Sequence, residues 1–120
     1  MVLVVDDEAS ILTITSQTLQ AFGYRVLTAT NGAAAVAVYA KHPDEIAVVL
    51  TDMMMPIMDG PATIHALLQL DPNVKIIAAS GLATDSNEAQ FASAGIKHFL
   101  TKPYTAGTLL KSIRAILDET

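Results

Sequence analysis

The chain contains no cysteine, which excludes a disulfide framework, a thiol nucleophile and a thiolate metal site. No apolar run approaches the ~20 residues that a bilayer span requires, so direct membrane contact is not expected. The N-terminus lacks a basic region followed by a hydrophobic core and a small-residue cleavage site, so a signal peptide is not expected and a cytoplasmic location is the default. Positive charge is scarce: seven Lys and Arg stand against twelve Asp and Glu, a net charge of −5. That argues against sequence-independent binding of nucleic acid, which relies on cations neutralising phosphates. A basic or phosphorylated partner remains compatible with it. The pattern GxxxxGK occurs nowhere, so no nucleotide-binding P-loop is present, and the chain has no repeat, linker or low-complexity stretch.

What remains is 120 residues, 52% hydrophobic and only 16% charged, which suit one folded domain over residues 1–120 burying roughly two thirds of its unfolded surface. Five short apolar or β-branched runs recur: VLVVD (2–6), YRVLTA (24–29), AVVLTD (47–52), VKIIAAS (74–80) and KHFLTK (97–102). Helical spacing fills the intervals. In the first interval Ile11, Thr15, Leu19 and Phe22 share a face and Gly23 stands where a C-terminal cap would. The second, about 32–41, is alanine-rich and holds Val36 and Tyr39; Asn31-Gly32 before it reads as a helix start rather than a hairpin. The third holds Ile64, Leu67 and Leu68, and the last Leu109, Ile113, Ile116 and Leu117. The fourth, about 84–94, is the weakest, with few large apolar residues. Strict alternation of strand and helix predicts a doubly wound α/β domain, (βα)5, with a parallel sheet between two helical layers.

In open α/β sheets, ligands bind outside the carboxyl ends of the strands. Those ends carry Asp6-Asp7-Glu8, Asp52, Ser80 and Lys102, and only the second strand ends without such a group. Carboxylates within about 4 Å of one another repel by roughly 4 kcal/mol per pair at an effective dielectric near 20. A hard divalent cation such as Mg²⁺ relieves that repulsion and commonly works beside a phosphoryl group. A lysine adds a point charge for a phosphoryl oxygen and a serine adds a hydroxyl. The set describes phosphoryl transfer to an aspartate. Taken singly, each part has a plainer reading: Asp7 and Glu8 could favour a helix N-terminus, and Asp52 or Lys102-Pro103 could belong to ordinary turns. Only their joint placement at one edge argues against that.

Together VVDDE, LTDMMMPIMDG, AASG and FLTKP, in order and each at a strand end, resemble the receiver domain of two-component response regulators over essentially the whole chain. The resemblance implies a flavodoxin-like three-layer sandwich with sheet order 2-1-3-4-5. It implies phosphorylation of one aspartate by a phosphohistidine donor, on a histidine kinase or a histidine phosphotransfer protein. By position, Asp52 resembles the phosphoacceptor, Asp7 the direct ligand of Mg²⁺ (or of Mn²⁺ in its place), and Asp6 an acid acting through a metal-bound water. Asp52 and the backbone carbonyl of Met54 complete the ligands. Lys102 resembles the phosphoryl-binding lysine, preceding a cis bond to Pro103; Ser80 resembles the hydroxyl that closes on the phosphoryl group, Phe99 the aromatic switch, and Gly60 the turn glycine beyond the acceptor. The resemblance implies no conventional substrate turnover, only self-catalysed Mg²⁺-dependent phosphorylation and slow dephosphorylation; in the family the side chains at the positions of Met54 and Leu82 flank the path of the attacking water, and neither of these two can orient one.

Ser80 stands where threonine is commoner, Gly81 follows it, and Phe99 lacks a tyrosine hydroxyl. AASGL and FLTKPYTAGTLLKSI are similar to receivers fused to histidine kinases in hybrid sensors. An output domain is not expected within these residues, which leaves a stand-alone receiver and an excised piece of a larger regulator or hybrid kinase both open. A haloacid-dehalogenase-type hydrolase is the alternative, but it needs a second acid where Met54 stands. A flavodoxin-like carrier would place an anion against Asp6-Asp7-Glu8, and a pseudo-receiver would lack the acids or the lysine. Met53, Met54, Met55 and Met58 read as adaptable packing, Asp59 as a turn residue, and His42, His65 and His98 as structural or exposed, without metal-ligand spacing.

Overall fold

A computed structural model describes residues 1–52, 60–80, 98–101 and 105–118, with residues 60, 61, 80, 98, 99 and 101 described by backbone placement alone. The strands are β1 (Val2–Val5), β2 (Val26–Ala29), β3 (Val48–Asp52), β4 (Ile76–Ser80) and β5 (His98–Thr101); the helices are α1 (Ala9–Ala21), α2 (Gly32–Lys41), α3 (Gly60–Leu70) and α4 (Ala106–Leu117). All strand pairs are parallel, in the order β2-β1-β3-β4-β5. The expected doubly wound sheet is therefore what forms. The predicted helical segment at 84–94 lies outside the described residues.

Side-chain alternation divides the core into two halves. Leu3, Val5, Val49, Ile76 and Ala78 face Ala35 and Tyr39 of α2 and Ile64 and Leu67 of α3. Val2, Val4, Val48, Leu50, Ile77, Ala79 and Leu100 face Leu12 and Leu19 of α1 and Leu109, Ile113 and Ile116 of α4. Strands buried on both faces need continuous apolar runs, which is how these read. Right-handed crossovers force α1 to one face as the chain steps from β1 out to β2, and α2 and α3 to the other as it steps back through β3 to β4. The winding therefore reverses between β1 and β3, and in open α/β sheets ligands bind at the carboxyl edge of such a switch point.

Local chemistry fixes the element ends. Gly23, with φ of +91°, ends α1 in a Schellman turn: its N–H donates to Gln20 O at 3.1 Å and that of Tyr24 to Leu19 O at 3.0 Å. This capping consumes Tyr24, so β2 starts two residues later than the apolar run suggests. It also places Phe22 outside the last turn, where it is 65% exposed. The buried stripe of α1 is Leu12, Thr15 and Leu19, with Ile11 half-buried, rather than the face through Ile11 and Phe22. Asn31 caps α2, its Oδ1 accepting from the N–H of Ala34 at 2.8 Å, which bears out the helix start at Asn31-Gly32. Thr105 caps α4 by accepting from Thr108 N at 3.1 Å. After α3, Asp71 Oδ1 accepts from Asn73 N at 2.9 Å and Val74 N donates to Asp71 O at 3.1 Å; Val74 belongs to this turn and not to β4. The Asp71 Oδ2 accepts from the buried Tyr39 hydroxyl at 3.0 Å, tying α2 to the end of α3. Burial and that carboxylate push the phenol up to about 12.

Candidate functional site at the carboxyl edge

Register places the acids. Val5 pairs with Thr51, so Asp6 and Asp52 each stand one residue further out on adjacent strands. Asp6 stays on the ladder, its N–H donating to Ala29 O at 3.1 Å, and its Oδ1 accepts from the N–H of Glu8 at 3.0 Å. That Asx-type turn swings the chain from β1 into α1. Asp6 is 2% exposed and Asp52 5% exposed, whereas Asp7, on the turn itself, faces solvent. One carboxylate oxygen from each of Asp6, Asp7 and Asp52 lies within 4.8 Å of the others.

This geometry bears on both readings of the first acidic run. Glu8 occupies the N-cap of α1 but makes no side-chain capping bond, and Asp6 takes the Glu8 N–H instead. Asp6 and Asp7 converge on Asp52 from a neighbouring strand end. Burying two like charges beside a third is costly unless something offsets them. Three convergent carboxylate oxygens are the donor set of a hard divalent cation, and the group is able to hold one.

The remaining predicted residues are reached only in part. Asp52 pairs with Ala79, so Ser80, ending β4, stands one step further out; Ser80 in turn pairs with Thr101, and Lys102 follows Thr101 directly. Phe99 pairs with Ala78 inside β5. The side chains of Ser80 and Phe99 lie outside the description, as do Met54, Leu82, Lys102 and the Lys102-Pro103 bond. Gly60 opens α3. His42 meets Glu45 at 3.1 Å and His65 meets Gln69 at 3.1 Å, both at the surface, in keeping with a structural reading. Sequence reasoning missed Thr51, whose hydroxyl donates to the carbonyl oxygen of Asp52 at 3.2 Å. The sequence offered only a hydroxyl in the otherwise apolar run AVVLTD.

The family model for the response regulator receiver domain matches residues 2–114, and the chain belongs to that family. It is 33% identical to chemotaxis protein CheY of Bacillus subtilis over 98% of this chain and 97% of that protein. It is 30% identical to sensor kinase CckA of Brucella abortus over 98% of this chain, yet spans only 12% of that kinase's length. A chain in the crystal structure of the CheX–CheY–BeF3–Mg²⁺ complex from Borrelia burgdorferi superimposes with a TM-score of 0.94 at 28% identity, covering 98% of this chain and 89% of that chain. Receiver domains take phosphoryl groups from histidine kinases, and this chain is such a phosphoacceptor module of two-component signalling. Nothing in the fold or the relatives supports the dehalogenase-type hydrolase. Among the described residues no helix is long and apolar enough to cross a membrane.

Proposed function

We propose that Asp52 is the residue phosphorylated. The observation that carries this is its place: nearly buried, at the end of the central β3, with carboxylate oxygens of Asp6 and Asp7 within 4.8 Å. In the reaction, a carboxylate oxygen of Asp52 forms a bond to phosphorus as the bond from phosphorus to the donor histidine nitrogen breaks. The nitrogen leaves with the bonding electron pair and the histidine ends neutral. Mg²⁺, or Mn²⁺ in its place, neutralises the clustered carboxylates and the phosphoryl oxygens when bound. Asp7, Asp52 and the carbonyl of Met54 would hold it directly, and Asp6 through a water.

Lys102 contributes a point charge to a phosphoryl oxygen, its approach set by a cis bond to Pro103, and Ser80 donates a hydroxyl to another. Ser80 ends β4 one step beyond the Asp52 row, and Lys102 directly follows Thr101, the partner of Ser80 at the end of β5, which supports these roles. Closure of Ser80 lets Phe99 turn inward and alters a partner-reading surface. The donor is a histidine kinase or histidine phosphotransfer protein in the cytoplasm, and residues 1–120 act as one receiver domain. The likeness to a segment of the sensor kinase CckA supports a setting within a larger kinase, and the likeness to nearly the whole of CheY supports a free-standing one. The test is intact-mass analysis with Mg²⁺ and phosphoramidate: one phosphoryl adduct in the wild type, none with chelator and none in Asp52→Asn. An adduct persisting in Asp52→Asn overturns the assignment.

A further inference from the structure

β3 ends in Thr51 and Asp52, and the two point to opposite faces. Thr51 shares the face of Val49, towards α2 and α3, and is 0% exposed. Its neighbours across the sheet are Val5 and Ala78, themselves part of the apolar core on that face. A hydroxyl in such a row is out of place on packing grounds. Valine has the same shape and an equal or better fit to a buried strand, and burying a hydroxyl without a partner costs free energy. The hydroxyl is satisfied in one particular way: Thr51 Oγ1 donates to the carbonyl oxygen of the next residue, Asp52, at 3.2 Å. That carbonyl is where the chain leaves the sheet. Fixing it limits rotation about the Cα–C bond of Asp52 and so steadies the backbone that carries the carboxylate.

We infer that Thr51 is a positioning residue for phosphoryl transfer, acting through the backbone of Asp52 rather than touching the phosphoryl group. The inference rests on Asp52 being the acceptor. Reaction rates are steeply sensitive to such aim, since a misplacement of about 1 Å can cost on the order of 100-fold. A single neutral hydrogen bond holds less than that, so the expected loss is about five- to tenfold.

The experiment compares Thr51→Val and Thr51→Ser with wild type, reading phosphorylation by phosphoramidate at saturating Mg²⁺ through intact mass, and urea unfolding midpoints in parallel. Thr51→Val, which keeps shape and removes the hydroxyl, should unfold at the wild-type midpoint or above and phosphorylate about five- to tenfold more slowly. Thr51→Ser, which keeps the hydroxyl and loses a methyl group, should unfold earlier yet phosphorylate within about twofold of wild type when fully folded. Stability and rate thus move in opposite directions in the two variants, which a packing role would not produce. A wild-type rate in Thr51→Val overturns the inference, as does a rate in Thr51→Ser no better than that of valine. Asp52→Asn, run beside them, separates the two levels: an adduct surviving in that variant defeats the acceptor assignment whatever Thr51 does.

Discussion

Replacing Asp7 with asparagine removes one charge from the acidic group while leaving its size and position almost unchanged. The three carboxylate oxygens lie within 4.8 Å of one another, a separation at which two unit charges repel by about 3.5 kcal/mol at an effective dielectric near 20 and by about 0.9 kcal/mol in water. Asp7 faces solvent while Asp6 and Asp52 are buried, so its two pairs belong near the lower figure. Relief of both amounts to about 2 kcal/mol at low salt. With a urea m-value of roughly 2 kcal/mol per molar, the unfolding midpoint of Asp7→Asn in chelator should rise by about 1 M. Salt at about 1 M, with a Debye length near 3 Å, should remove most of that gap. Mg²⁺ should act in the opposite sense: a cation at 100 times its dissociation constant stabilises the wild type by about 2.7 kcal/mol, and the variant should lose most of that gain. Equal or lower stability of Asp7→Asn in chelator would refute the repulsion, and an unchanged Mg²⁺ effect would refute the ligand assignment.

Gly23→Ala should cost about 1 kcal/mol in urea unfolding, because φ of +91° is strained for a side chain although a Cβ there meets no atom within 4 Å; no loss would mean the turn relaxes. Tyr39→Phe should cost about 1.5 to 3 kcal/mol, since it removes a bond to the Asp71 carboxylate. The phenol's folded pKa, pushed up to about 12, lies above the ordinary 10.0 of a tyrosine, so the stability it contributes is full below pH 10 and is lost as the pH rises towards 12. The gap between wild type and Tyr39→Phe should accordingly narrow across that window, and a gap that widens contradicts the raised value. Met54→Asn should shorten the aspartyl-phosphate lifetime under matched Mg²⁺, because Met54 and Leu82 cannot orient an in-line water and an amide can; an equal or longer lifetime defeats the expectation of slow self-dephosphorylation.

Element type and order were legible for the described elements because the strands are short runs rich in Val, Ile, Leu or Ala, mostly followed by a polar residue, and capping signals such as Gly23 and Asn31 mark helix ends. The buried face of α1 was not. Ile11, Leu12, Leu19 and Phe22 are all apolar, and which of them turns inward depends on where α4 and the sheet sit and on the Schellman turn that expels Phe22. The early start predicted for β2 and β4 has the same origin: Tyr24 and Val74 are strand formers used by turns. At the site, Asp6, Asp7 and Asp52 were visible as candidates, but sequence spacing does not separate a metal-holding cluster from helix capping. The pairing of Val5 with Thr51 brings the three acids together, and that register is a property of the assembled sheet. Thr51 was overlooked because a β-branched residue in a strand asks for no explanation until its hydroxyl has a partner.

Phosphorylation of Asp52 would make an acyl phosphate, which can be located directly. Borohydride reduces an aspartyl phosphate to homoserine, so protein phosphorylated with phosphoramidate and Mg²⁺, reduced, digested and sequenced by tandem mass spectrometry, reports the residue itself. Homoserine at position 52 alone is the predicted result. Homoserine at Asp6, Asp7 or Asp59, or none in protein whose intact mass shows the adduct, would contradict it.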